Sequence, residues 1–124
     1  MRFALEFPDS EVRDVTLDGG ACIVRFAAAS VRDSSDERGW LASVTLALSA
    51  ATLDGDPAPA FGKLAEGRLR QDGRDIARPT LPGTLAGPIE LALRFANGTQ
   101  LVARGGSLAL NVGEDARFAP DLSC

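Results

Sequence analysis

Histidine and tyrosine are absent from this 124-residue chain, lysine occurs once as Lys63, and tryptophan once as Trp40. The missing imidazole removes the usual general base, the usual pH switch near neutrality and the commonest zinc ligand. Ser-His-Asp and Cys-His catalysis are therefore excluded within the chain. Only two cysteines are present, Cys22 and Cys124, and two reduced thiols are expected rather than a disulfide. Cys124 has no cation close by in sequence to lower its pKa and Cys22 falls on an apolar face, so no catalytic cysteine is expected.

Long apolar runs are also missing. The stretch from Trp40 to Leu53 is broken by Ser43, Thr45, Ser49 and Thr52, too short and too polar for a membrane span. The first residues meet Glu6 and Pro8 before any long apolar segment forms, so no signal peptide is expected and the expected compartment is the cytoplasm. Net charge is -4, which repels phosphate backbones and speaks against nucleic acid as a partner.

What is present is β signal. Gly19-Gly20, Asp72-Gly73 and Asn97-Gly98 each sit between runs that alternate apolar and polar residues. Such dipeptides suit two-residue hairpin turns, whose central residues need positive φ. Across Gly19-Gly20 the spacing pairs Leu17 with Cys22, Val15 with Val24, Asp14 with Arg25 and Arg13 with Phe26. Across Asp72-Gly73 it pairs Gln71 with Arg74, Arg70 with Asp75, Leu69 with Ile76 and Arg68 with Ala77. Arg2 to Phe7 reads as a strand stopped by Pro8, and Trp40 to Ser49 as one strand, although Leu41, Val44, Thr45 and Leu48 also fit a helix. Asp56-Pro57 is a candidate start for one helical turn running to about Leu64.

The expected fold is a single all-β domain over residues 1–124: an antiparallel sandwich or small barrel of about eight or nine short strands built from hairpins. Ile89, Leu91, Leu93 and Phe95 alternate with polar or small residues. A two-residue turn at Asn97-Gly98 puts Val102 on the face of Leu91 and Leu93, and Leu101, Ala103, Leu108 and Leu110 on the other, with a further turn at Gly105-Gly106. Both faces are then partly apolar, so a second layer or a partner must cover one of them. Phe118 and Leu122 are candidates to do so.

Few constellations carry chemistry. Asp54-Gly55-Asp56 starts like a calcium loop, but Ala58 and Ala65 stand where further oxygen ligands belong. Asp33, Asp36 and Glu37 form an acidic loop flanked by Arg32 and Arg38, a solvated segment able to meet a basic partner. Trp40 is a core or rim residue. Cys22, beside Val24 and Phe26, reads as a small buried hydrophobe.

No cofactor, metal or catalytic residue is expected. The functional expectation is a soluble, acidic, bacterial-type domain that is not an enzyme and acts by binding a protein or by self-association, as an inhibitor or immunity-type protein does. Its candidate surface is Asp33, Asp36, Glu37, Trp40, Leu101, Leu108 and Leu110. The alternative is a barrel that carries a small apolar ligand in a pocket lined by Val24, Phe26, Leu46, Leu91, Leu93 and Phe95.

Overall fold

A computed structural model describes residues 2–121. It contains strands β1 (Phe3–Asp18), β2 (Ala21–Arg32), β3 (Arg38–Leu41), β4 (Val44–Ser49), β5 (Thr52–Asp54) and β6 (Gly62–Gln71). These are followed by β7 (Arg74–Ile76), β8 (Thr80–Leu81), β9 (Gly83–Phe95), β10 (Gln100–Val112) and β11 (Phe118–Pro120). The order β2-β4-β10-β9-β6-β1, closed by antiparallel pairing of β1 with β2, makes a six-stranded barrel. Closure leaves the barrel itself no free edge. The remaining short strands decorate it: β3 and β11 extend from β2, β5 lies on β10, β7 on β6 and β8 on β1.

Two hairpins follow their local turn chemistry. Gly19 and Gly20 have φ of 56° and 83°, and Asp72 and Gly73 have 50° and 79°, the double positive φ of a type I′ turn. The pairs Leu17–Cys22, Val15–Val24 and Asp14–Arg25 form as the spacing predicts. Arg13 does not face Phe26, because a bulge sets Val12 opposite Phe26 instead. This bulge keeps Val12, 2% exposed, in the core and leaves Arg13 in solvent. Leu69–Ile76, Arg70–Asp75 and Gln71–Arg74 also pair as expected. That ladder stops there, and Arg68 meets the Asp75 carboxylate rather than Ala77.

Gly73→Val should lower stability by about 1–3 kcal/mol, since a β-branched residue is strained at this φ. Gly106→Val is the control, because nothing lies within 4 Å of a Cβ there and its φ is not positive. A urea midpoint shifted equally by both substitutions would contradict the turn assignment.

Several expectations are corrected. Pro8 does not end the first strand; β1 continues through a bulge between Glu6 and Glu11. The segment from Trp40 to Ser49 is strand rather than helix, but it divides at Ser43, where φ is 61°. No helical turn runs to Leu64, because Gly62, at φ 93°, starts β6 and pairs with Val12.

The largest correction concerns Asn97-Gly98. The Phe95 N–H donates to Thr99 O at 2.9 Å and the Gly98 N–H to Phe95 O at 3.0 Å, with φ positive at Gly98 but not at Asn97. This is a three-residue loop, a type I turn closed by a glycine bulge. It sets Leu93 opposite Leu101 and Leu91 opposite Ala103, one residue away from the two-residue register. A one-residue slip exchanges the faces. Leu101 and Ala103, each 3% exposed, join Leu91 and Leu93 in the barrel interior, and Val102 and Ala92 point outward.

Gly105-Gly106 is no turn either. β10 runs through it with a bulge between Gly105 and Ser107, which returns Leu108 and Leu110 to the interior at 1% and 2% exposure. The apolar surplus on two faces thus disappears. Phe118 still packs over the core from β11, its ring centroid 5.6 Å from that of Phe3. Leu122 and Cys124 lie outside the described residues.

Candidate functional site

The bulge in β1 shapes the most distinctive surface of the barrel. Ser10 turns inward there: its hydroxyl donates to Glu6 O at 2.7 Å and accepts the Ser30 N–H at 2.8 Å. Asp9, with φ of 71°, is turned outward. Its carboxylate lies 3.1 Å from Lys63 Nζ on β6 and 3.2 Å from Arg38 Nη2 on β3. Three strands distant in sequence are thus clamped at one carboxylate. Lys63, first of the two cations in effect, and Arg38 hold the Asp9 carboxyl below the usual aspartate range.

Beside this clamp lies an open groove of about 540 Å³. Trp40 and Ala28 supply its apolar surface, while Asp9, Glu11, Arg38, Lys63 and Asp121 supply charge. Trp40 is half-buried and lies on the side of β3 opposite to its buried neighbours Gly39 and Leu41. β11 borders it, with Ala119 opposite Trp40 and the Asp121 N–H donating to Arg38 O at 2.9 Å. A smaller hollow alongside is lined by Glu6, Pro8, Asp9, Arg32 and Arg38. Glu6 there pairs with Arg32 at 3.3 Å and Arg78 at 3.4 Å.

A second groove, about 580 Å³, crosses the outer face of β6, β9 and β10 over Ala92 and Val102. Its charged lining residues are Glu66, paired with Arg94 at 3.1 Å, and Arg68, which reaches Asp75 outside the groove at 2.8 Å.

Of the residues singled out from sequence, Trp40 lines the first groove, and Asp33, Asp36 and Glu37 form the turn of the β2–β3 hairpin that leads into Arg38 of that groove. Asp33 shapes that turn, its Oδ1 accepting the Ser35 and Glu37 N–H groups at 2.8 and 2.9 Å. Asp36 lies 3.7 Å from Arg32. Leu101, Leu108 and Leu110 leave the candidate surface, being core residues for the register reasons given above. Val24, Phe26, Leu46, Leu91, Leu93 and Phe95 do come together inside the barrel, where all six belong to one packed cluster and are at most 5% exposed. Cys22 belongs to the same cluster, and burial raises its thiol pKa. Asp56 caps a turn through the Ala58 N–H at 3.0 Å.

Asp9, Glu11, Arg38 and Lys63 were not legible as a group in the sequence. The one local sign was Pro8-Asp9 between two alternating runs, which reads equally well as the end of a strand. Compared with known proteins, the chain matches no family model, no curated protein and no solved structure.

The clamp has a measurable consequence. Asp9 should titrate below a free aspartate in carboxyl-detected NMR, and Lys63→Gln should move it upward. Because its folded pKa is the depressed one, any stability it adds is present above the unfolded pKa and lost as pH falls through the folded value. An Asp9 titration unchanged by Lys63→Gln would show that the ion pair does not form in solution.

Proposed function

We propose that this protein is a non-catalytic binding domain that docks a protein partner through the Trp40 groove and the adjoining β2–β3 hairpin. The observation that carries this reading is the groove itself: an outward tryptophan on a rigid barrel, framed by charged side chains held at fixed distances. Tryptophan and arginine are the residues that most often anchor protein interfaces. The neighbouring charged groups are engaged with one another, Asp9 with Lys63 and Arg38 and Glu6 with Arg32 and Arg78. That supports positioning rather than proton transfer, in a chain without histidine. The carrier alternative draws no support from an interior whose six nominated residues pack against one another.

A photo-crosslinking amino acid at Glu37, next in sequence to Arg38 of the groove, should give discrete covalent adducts with protein in cells of the native host. The same group at Gln100, which lines the other groove, should not. Adducts from Gln100 alone, or from neither position, would remove this reading.

A further inference from the structure

We propose that the Trp40 groove receives a basic side chain, an arginine or lysine of the partner, with the cation against the indole and paired to Glu11. This rests on the docking reading above and names the chemistry of the partner. The argument is one of charge left over. The acids Asp9 and Glu11 and the cations Arg38 and Lys63 line the groove, together with Asp121, which is engaged in an interaction of its own. Both cations are already bound to Asp9, at 3.2 and 3.1 Å. Glu11 stands on the exposed side of β1, in register with Lys63 on one neighbour and Ala28 on the other. It makes no ion pair or hydrogen bond through its side chain among the described residues.

An incoming anion therefore meets the Glu11 carboxylate, which has no cation of its own, and a purely apolar group leaves that carboxylate beside it without a partner. A cation satisfies both surfaces. The face of a tryptophan attracts an ammonium or guanidinium, and a carboxylate at the rim adds a charge-assisted hydrogen bond. A guanidinium also stacks flat on an aromatic ring while donating sideways, which suits a groove with an indole on one surface and a carboxylate at its edge. The surroundings act in the same sense: Asp33 and Glu37 at the hairpin turn and a net charge of -4 attract a basic partner at long range. The groove over Ala92 and Val102 offers no such carboxylate, since its one acid, Glu66, is paired with Arg94.

Because Trp40 is the only tryptophan, its fluorescence reports on the groove directly. Titration with the capped peptide acetyl-tetra-arginine amide at low ionic strength should give a saturable change in emission, and acetyl-tetra-glutamate amide should give none. Glu11→Gln, at an exposed position, should weaken the arginine peptide by about tenfold, or about 1.4 kcal/mol. Asp72→Asn makes the same change in net charge at the β6–β7 turn and should leave binding within about twofold, as expected for a charge outside the contact. An unresponsive Trp40, equal losses in the two variants, or binding of the glutamate peptide would each overturn the proposal. Any of these leaves the docking reading to the crosslinking at Glu37, which does not depend on the partner's charge.

Discussion

Leu101→Asn should unfold the protein or bring it close to unfolding, while Val102→Asn, one residue along the same strand, should be nearly silent. Leu101 is 3% exposed in the barrel interior, opposite Leu93. Truncating a buried leucine costs about 2–5 kcal/mol, and an amide left without partners costs about 1–3 kcal/mol more. A domain of this kind has about 5–15 kcal/mol in all. Val102 is half-buried on the outer face, paired with Ala92 and Asp54, where an amide stays in contact with water. The contrast reads out the register of β9 and β10, since the two-residue turn at Asn97-Gly98 reverses the roles of the two positions. Urea unfolding decides it: a lower midpoint for Val102→Asn than for Leu101→Asn would return the hairpin to the other register.

Phe7→Ala should cost about 3–5 kcal/mol, the range for deleting a buried phenyl group. The more telling measurement joins it with Gly67. Phe7 is 2% exposed, and a Cβ built on Gly67 stands 2.6 Å from Phe7 Cβ and Cγ. Gly67 has no positive φ, so its lack of a side chain serves close packing rather than a turn. Gly67→Val alone should therefore cost about 1–3 kcal/mol through overpacking. Placed in the Phe7→Ala background the same valine loses its clash with the ring but keeps the one with the Cβ, so the double variant should be more stable than the sum of the two losses by the ring's share alone. Strict additivity of the urea-derived free energies would show that the two residues do not share this site.

The all-β class and two of the hairpins were legible because their determinants are local. At Gly19-Gly20 a three-residue loop was the competitor, but only the two-residue turn matches apolar to apolar residues and Asp14 to Arg25, and at Asp72-Gly73 the turn chemistry and the pairing agree. Asn97-Gly98 was misread for a reason of the same kind. The dipeptide fits a two-residue turn or the end of a three-residue loop with a glycine bulge, and nothing within a few residues separates the two. Burial separates them: only the longer loop places Leu101 and Ala103 on the side of Leu91 and Leu93. The doubled apolar face, which had pointed to Leu101, Leu108 and Leu110 as an interaction surface, was a consequence of the one-residue slip and of reading the Gly105-Gly106 bulge as a turn.

The groove depends on still longer range. Asp9 comes from a bulge, Arg38 and Trp40 from a strand that extends β2, Lys63 from the strand on the far side of β1, and Asp121 from the end of the chain. Trp40 and the acidic turn of the β2–β3 hairpin could be nominated from sequence by residue type. Their setting could not, because a bulge forms where strand pairing on both sides demands it, and barrel closure decides which outward side chains become neighbours. By itself the sequence determined the excluded chemistries, the β class and the two hairpins whose cross-strand matches hold in one register only. The tertiary structure alone decided register at Asn97-Gly98, closure of the barrel and the meeting of Asp9, Arg38, Lys63, Glu11 and Trp40. Each of those is set by which surfaces are buried together, a property of the whole chain rather than of any short segment of it.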